Sequence, residues 1–449
     1  MISSIAIALL GAIVGTYMFL RALLHFSQDA REPQAIENAI PFISPILSMA
    51  AKKANFYSLM RDRYNLPLYS LRMPGSRIYV VNSTSLIPVV QRQFRTLSFT
   101  ALESKLARDV MGVSKNTHEI ISRDNTRDEG YLMTFPKYIH PAVSAGLGLD
   151  AMNRRLVEVL AESLDVWVKR GPTTVNMFQW IRHELVIATT EGVYGPKNPF
   201  RNSAMEEAWY KIESGIMMFL LKLWPKIFAN ESFQAREYMG KGSKLIQCRV
   251  QINNTFNIPL KQTAKMEEVD GTCTIDLADV KGFCPVLLST FKEMFRYNSA
   301  GVSARITMED HMLDNKYLIK KGSTVMIPSR VQHTTPSIWG ETVDEFNHKR
   351  FMRQPGVKQP TPIAFRGFGG GTTLCPGRHF VSTEVLMFSA LLARPTTGRS
   401  PLVAAIPVPD WDIDIKICPR DDKKWVVSFS GHDRDMEISA EDVGGTVTD

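Results

Sequence analysis

The feature that constrains this chain most is a cysteine preceded by a run of glycines and followed by a proline. The stretch 368–377 reads FGGGTTLCPG. The glycines at 369–371 have no Cβ, so the backbone there can turn sharply and approach a flat cofactor closely. Pro376 suits the first turn of a helix. The pattern predicts a loop that approaches a ligand, with a helix directly behind it.

Cys375 is therefore expected at the start of a helix. The buried stripe of this helix is predicted from residues spaced four, three and four apart, namely Val381, Val385, Phe388 and Leu392. Free amides and the positive end of the helix dipole favour a thiolate there. A thiolate can bind iron, and its electron donation favours O–O cleavage at haem iron. Cys375 is thus the predicted metal ligand, whereas an inert buried cysteine would leave the glycines unexplained.

Cysteine usage and charge exclude several other classes of protein. Five cysteines are scattered along 449 residues without a C-x-x-C pair, which argues against a disulfide scaffold and a zinc cluster and favours a reducing compartment. The net charge of +8 suits an anionic membrane surface or an acidic protein partner. No run of five or six basic residues is present, so we expect no nucleic-acid partner.

The N-terminus carries an uncharged apolar segment. Ile2–Leu20 would span roughly 28 Å as a helix, close to the thickness of the hydrocarbon core. Arg21, Arg31 and Lys52 follow it and no basic residue precedes it, so the positive-inside rule predicts a retained anchor with the body of the protein in the cytosol. A signal peptide and a buried core helix are the alternatives.

The rest of the chain reads as one large domain, mainly α with a minor β part. We expect an anchor at 1–21, a Pro-containing linker at 22–53, a catalytic domain at 54–435 and a disordered tail at 436–449. Leu156, Leu160 and Leu164 show helical spacing, whereas 77–82 reads as a strand. Residues 317–327 read as a hairpin that turns at Lys321 and Gly322.

The cysteine motif resembles the haem-binding signature of the cytochrome P-450 superfamily. Phe368, Gly371, Cys375 and Gly377 match its pattern F-x-x-G-x-x-x-C-x-G. Thr373 departs from the family, which usually has a basic residue there for a haem propionate. The Gly-Gly-Gly run with Thr is similar to a branch of sterol hydroxylases, prostacyclin synthase and fungal pathway enzymes. The resemblance implies the P-450 fold after one transmembrane helix, with heme b (iron protoporphyrin IX) bound by these four residues.

The resemblance extends to a set of charged residues. Glu293 and Arg296 stand at i and i+3, and Arg350 matches the second arginine of the family's buried Glu-Arg-Arg network. This network is expected to hold the loop of Cys375 in place. Arg305 matches the family's usual propionate-binding arginine.

One part of the family pattern is missing. Members run a long helix across the oxygen-binding face of the haem, with an Ala/Gly-Gly-x-Asp/Glu-Thr segment. Between Lys244 and Cys284 this chain is polar, interrupted by Pro259 and Gly271, and too short for that helix. We therefore assign no catalytic residue, and we expect the region around 240–285 to be truncated, in the gene or through a mis-assigned intron.

The resemblance implies a monooxygenase that inserts one oxygen atom of O2 into a lipophilic small molecule. Its electrons would come from NADPH through a flavoprotein reductase, at the endoplasmic reticulum membrane with the catalytic domain facing the cytosol. A terpenoid, steroid or polyketide of secondary metabolism suits its anchored character. Two alternatives remain: an isomerase or dehydratase that rearranges a peroxide without a reductase, and a non-catalytic remnant.

Overall fold

The structure, a computed structural model, describes residues 2–36, 39–144, 146–221, 225–250, 272–276, 285–352, 360–392, 412–417 and 424–428. The fold is mainly helical with a minor β part, which confirms the predicted class. The helices are α1 (Ile2–Ser27), α2 (Ser44–Lys52), α3 (Asn55–Tyr64), α4 (Leu86–Arg92), α5 (Phe99–Asp109), α6 (Lys115–Ser122), α7 (Tyr131–Val143), α8 (Leu147–Arg170), α9 (Met177–Tyr194), α10 (Ser203–Leu221), α11 (Pro225–Phe228), α12 (Asn230–Val250), α13 (Pro285–Asn298), α14 (Ser329–His333), α15 (Pro336–Trp339) and α16 (Arg378–Leu392). The strands are β1 (Leu68–Met73), β2 (Ser76–Val81), β3 (Leu97–Ser98), β4 (Thr173–Asn176), β5 (Thr272–Asp276), β6 (Val302–Thr307), β7 (His311–Leu313), β8 (Tyr317–Ile319), β9 (Thr324–Pro328), β10 (Asp414–Ile417) and β11 (Lys424–Ser428).

The largest described sheet has five strands in the order β1-β2-β9-β6-β3. The β1–β2 hairpin is antiparallel, β2 pairs with β9 in parallel, and β6 is antiparallel to both β9 and β3. Apolar side chains cover both faces of this sheet in two clusters, one around Leu68 and Tyr79 and the other around Tyr69 and Val80. These alternating neighbours point to opposite faces, as the two-residue period of a strand requires. The sheet therefore gives β6 a rigid position beside the helical part.

The helical core packs α8, α9, α13 and α16 together. Its buried members include Leu156 and Leu160 from α8, Phe291 from α13 and Met387 from α16. The buried stripe that the sequence predicts for α16 is wrong in part, because Phe388 is buried but Val381 and Val385 are only partly buried. Polar residues such as Thr383 are fully buried instead. The helix that follows the cysteine is thus enclosed by the domain.

The N-terminal helix is longer than the predicted anchor, because it continues past Arg21 to Ser27. It is the one helix within the described residues that is long and apolar enough to cross a membrane, with a mean hydropathy of 1.9 and no buried residues over the best window.

The connector after this helix is packed against the β1–β2 hairpin. The Glu32 carboxylate is buried and accepts a 2.7 Å hydrogen bond from the Tyr79 hydroxyl. Arg72 and Arg77 lie 3.6 Å and 3.2 Å from its oxygens and also donate to the Ser27 carbonyl at the end of α1. The end of α1 is therefore fixed to the β1–β2 hairpin by charged side chains around the buried Glu32 carboxylate.

Two sequence predictions have other outcomes. The hairpin predicted at 317–327 is wrong, because β8 pairs with β7, whereas β9 pairs with β2 and β6. Lys321 and Gly322 instead lead the chain from one sheet to the other. The predicted truncation around 240–285 falls largely on 251–271 and 277–284, which lie outside the described residues, as does the predicted tail at 436–449.

Candidate functional site

The loop of Cys375 lies between a short 3₁₀ turn, Gly371–Thr373, and helix α16. The Cys375 amide donates to the Phe368 carbonyl at 2.9 Å, and its carbonyl accepts from the Arg378 amide at 3.3 Å. The thiol is free and partly exposed. The helix starts two residues later than the sequence predicts, because Pro376 and Gly377 form a turn before it. Cys375 thus lies just ahead of the helix N-terminus, with a thiol that a ligand can reach.

The glycine run is explained in part by close contacts. Gly371 has φ +61°, and a Cβ there would lie 2.7 Å from the side-chain carbonyl carbon of Gln91. The left-handed backbone favours glycine at this position, and a side chain there would also displace the Gln91 amide. Gly377 differs, because a Cβ there would meet no atom within 4 Å. Protein packing gives no reason for glycine at 377, and its role in binding a cofactor stays a prediction.

Phe368 packs the start of the cysteine loop against helix α13. Its ring lies 4.7 Å from that of Phe295 and 6.3 Å from that of Phe291, both on α13. Aromatic contacts of this kind contribute about 0.5–1.5 kcal/mol beyond simple burial. The first residue of the cysteine motif is therefore anchored on the helix that carries Glu293 and Arg296.

Glu293, Arg296 and Arg350 come together in the structure. Arg296 Nε and Nη2 donate to the two oxygens of Glu293 at 2.7 Å and 2.8 Å, and Arg350 Nε donates to one of them at 3.1 Å. The side chains of Glu293 and Arg296 are fully buried. The remaining donors of Arg296 go to the carbonyls of His333, Val343 and Glu345. Each charge in this network has partners, as burial requires.

His333 links this network to the cysteine loop. Its carbonyl accepts from Arg296 at 2.9 Å, and its Nε2 accepts from the Arg366 amide at 2.8 Å. Complete burial, reinforced by the charge of Arg296, lowers the pKa of His333 to about 3, so the ring is neutral. The sequence analysis missed His333, and no local sequence pattern distinguishes it.

Two arginines lie next to the turn that leads to Cys375. Arg305, on β6, donates from Nη2 to the Thr373 hydroxyl at 3.3 Å, and Arg366 donates from Nη2 to the Ser303 hydroxyl at 3.1 Å. Both are buried, and burial lowers the pKa of each to about 10, with the charge of Arg305 adding to the effect on Arg366. The sequence analysis named Arg305 but missed Arg366, although a charged residue between Phe365 and a run of glycines was a usable signal.

Comparisons with known proteins identify the family of this chain. The family model described as Cytochrome P450 matches residues 267–394. The cytochrome P450 monooxygenase nodJ of Hypoxylon pulicicidum is 30% identical over 430 residues, covering 81% of this chain and 82% of its own length. This chain belongs to the cytochrome P450 family.

A second relative and one solved structure are also similar to this chain. A cytochrome P450 monooxygenase of Gibberella zeae is 22% identical over 428 residues, covering 81% of each chain. The solved structure of retinoic acid bound cyanobacterial CYP120A1 has a TM-score of 0.62 at 14% identity, covering 85% of this chain and 98% of the other. This structural likeness shows the P450 fold alone. The predicted fold and family are therefore confirmed, and the chain is a P450 monooxygenase by family.

The residues of the site fit the haem cofactor that the family uses. Cys375 has a free thiol, the group that would bind the haem iron. Arg305 Nε and Nη1 and Arg366 Nε are buried without a hydrogen-bond partner. Buried guanidinium nitrogens of this kind are suited to carboxylates, which haem carries as its two propionates.

Proposed function

We propose that this chain is a membrane-anchored haem-thiolate monooxygenase that inserts one atom of O2 into a lipophilic small molecule of fungal secondary metabolism. A terpenoid, steroid or polyketide intermediate is the substrate class. The observation that carries the proposal is the free thiol of Cys375 in a loop whose Phe368 packs on the helix of the buried Glu293 and whose Thr373 accepts a hydrogen bond from the buried Arg305. Two relatives, nodJ and the Gibberella zeae protein, are cytochrome P450 monooxygenases, which supports the proposal.

In this proposal the residues of the chain hold and orient the cofactor. Cys375 would bind the iron and Arg305 would bind a propionate. The loop that contains Phe368, Gly371 and Gly377 would lie against the porphyrin. When bound, haem iron supplies the centre at which O2 is activated. The Glu293 network would keep the thiol in position, because its charges are costly to separate once buried.

The electron source and the membrane follow from the same proposal. Transfer of one oxygen atom to substrate leaves the other as water, which requires two electrons, and an NADPH-dependent flavoprotein reductase would supply them. Helix α1 would cross the endoplasmic reticulum membrane once, with the domain facing the cytosol, because Arg21 and Arg31 follow the apolar segment. Net positive charge suits an anionic cytosolic membrane surface.

The test is co-expression of the full chain with an NADPH-dependent P450 reductase in microsomes. A panel of terpenoids, steroids and polyketides is screened for substrate-induced shifts of the haem absorbance, and binders are then assayed for NADPH-dependent hydroxylation. We expect oxidised product that carries one oxygen atom from ¹⁸O₂ and is absent in Cys375→Ser. Pigmented protein that oxidises no member of the panel, and consumes NADPH no faster in its presence, would contradict the proposed function.

One observation favours a second candidate. The alignment with nodJ is 430 positions long, but it covers only 81% of the 449 residues of this chain, which is fewer than 430. Residues of the relative therefore face gaps in this chain, as they also do in the Gibberella zeae alignment. Together with the missing Ala/Gly-Gly-x-Asp/Glu-Thr segment, this supports the proposal that the region around 240–285 lacks the helix of the oxygen-binding face.

A chain without that helix would have a haem pocket open to water, which disfavours coupled oxygen chemistry. The second candidate is therefore a haem-thiolate isomerase or dehydratase that rearranges a peroxide without NADPH, and the limiting case is a non-catalytic remnant. Turnover of a lipid hydroperoxide without reductase would select the isomerase, and protein without haem absorbance would select the remnant. Sequencing the transcript across codons 240–285 shows whether an exon is missing from this chain.

A further inference from the structure

Arg305 and Arg366 are buried charges without an acidic partner. Their exposed fractions are 0% and 2%. Among the residues that the structure describes, no carboxylate lies within salt-bridge distance of either guanidinium, and each makes one side-chain hydrogen bond, to a neutral hydroxyl. Arg305 Nε and Nη1 and Arg366 Nε remain buried without a partner.

Arg296 is a buried arginine of the same domain whose side-chain nitrogens all have hydrogen-bond partners. It is equally buried, yet its Nε, Nη1 and Nη2 all donate, two bonds reaching the Glu293 carboxylate and three reaching backbone carbonyls. Isolated buried charge costs several kcal/mol, and two like charges close together add repulsion. Arg305 and Arg366 therefore lack the partners that would make them purely structural.

The positions of Arg305 and Arg366 indicate which kind of group would pair with their guanidiniums. Thr373, which accepts from Arg305, lies two residues before Cys375. A Cβ on Gly370 would lie 3.0 Å from Arg366 Nη1, so the glycine run passes directly over this guanidinium. The two cations thus flank the turn that leads to the thiol. A ligand held by Cys375 and carrying two carboxylates would bring one carboxylate for each.

We propose that Arg305 and Arg366 together bind the two propionates of haem, and that Arg366 supplies the positive charge that Thr373 does not. The family's basic residue two positions before the cysteine is replaced here by Thr373, which accepts a hydrogen bond from Arg305. The positive charge would instead come from Arg366, two residues before Phe368. This inference rests on the proposed haem-thiolate function and adds Arg366 to the cofactor site.

The experiment compares two ligands and two variants. Full-length protein in detergent micelles, expressed without haem precursor, is titrated with iron protoporphyrin IX and with its dimethyl ester, which lacks both carboxylates. Arg366→Met is the test variant. Arg72→Met is the matched control, because it also removes a largely buried guanidinium, but one that lies beside the Glu32 carboxylate and near the membrane anchor.

We expect wild type to bind haem at least about tenfold more tightly than the ester, since a charge-assisted hydrogen bond contributes that much or more. Arg366→Met should lose about tenfold for haem and little for the ester, whereas Arg72→Met should keep the wild-type preference. Without porphyrin, Arg366→Met should unfold at higher denaturant concentration than wild type and Arg72→Met at lower concentration. A structural role for Arg366 would instead lower the stability of the apoprotein.

Equal affinity of wild type for haem and ester, or an equal loss for both ligands in Arg366→Met, would overturn this inference while leaving the haem-thiolate function intact. Failure of wild type to bind either porphyrin would overturn both, and the absence of any pigment distinguishes that result from the first.

Discussion

The Glu293 network offers the sharpest test of how the fold holds the cysteine loop. Glu293 accepts two hydrogen bonds from Arg296, one from Arg350 and one from the Asn347 amide. Glu293→Gln keeps the shape of the side chain but removes its charge, leaving two guanidiniums without a counter-ion. Removal of one partner from a buried ion pair costs roughly 3–5 kcal/mol. Since domains are stable by only about 5–15 kcal/mol, this loss is a large share of the total.

The matched control is Glu158→Gln in α8. Glu158 and Arg155 also stand three residues apart in a helix, at 3.2 Å, but their side chains are 57% and 36% exposed. An exposed pair of this kind contributes about 0.2–1 kcal/mol, so the control should change stability by no more than that. A milder companion is Arg350→Gln, because Glu293 keeps both of its bonds from Arg296. The substitution removes one bond to Glu293 and the bonds to the Trp339, Thr342 and Glu345 carbonyls and the Thr342 hydroxyl. Most of these other partners are exposed to water, so we expect a cost of about 1–3 kcal/mol.

The assay is urea unfolding of the full chain in detergent micelles, followed by the fluorescence of its seven tryptophans. We expect the stability loss to increase from Glu158→Gln to Arg350→Gln to Glu293→Gln. The haem content of Glu293→Gln should fall with its stability, because Phe368 of the cysteine motif packs on the helix that carries Glu293. A loss below about 1 kcal/mol for Glu293→Gln, no larger than that of the control, would show that burial adds nothing to the strength of this ion pair.

Three further predictions concern single residues. Burial raises the pKa of Glu384 from 4.5 to about 7, so the folded protein binds this proton more tightly than the unfolded chain. The stabilisation that comes from the bound proton is complete below pH 4.5 and is lost as the pH rises through 7. Glu384→Gln should therefore gain about 2–3 kcal/mol of stability relative to wild type between pH 5 and pH 8, measured by urea unfolding at both pH values. Glu32→Gln leaves Arg72 and Arg77 without their carboxylate, so limited trypsin digestion should cleave after Arg31 faster than in wild type; an unchanged rate would show that the carboxylate does not fix the connector. Gly371→Ala places a side chain at φ +61° and against Gln91, so it should lose about 1–2 kcal/mol and most of its pigment, measured as haem absorbance per mole of protein.

Local sequence patterns were sufficient for the class of fold and for the cysteine loop. The FGGGTTLCPG run limits the backbone through its glycines and proline, so it predicts a turn and a helix with little help from distant residues. The apolar Ile2–Leu20 segment is equally local, although its end is not. Helix α1 continues to Ser27, because arginines from the β1–β2 hairpin bind the carbonyl at its end.

What the sequence could not supply depends on tertiary contacts. The pairing of β9 with β2 and β6, rather than with β8, is decided by strands far apart in the chain. Arg366 and His333 become significant only once burial removes water from them and brings them beside Arg305 and Arg296. The positions of Arg366 and His333 in the sequence do not indicate these contacts. The pairing of Glu293 with Arg296 could be predicted, because the two residues lie one helical turn apart.

Binding of haem iron by the Cys375 thiolate can be measured in the carbon monoxide difference spectrum of the reduced full-length protein. We predict the red-shifted Soret band that thiolate ligation produces, and its loss in Cys375→Ser. A band at the position typical of histidine ligation, or an unchanged spectrum in Cys375→Ser, would show that the Cys375 thiolate is not the iron ligand.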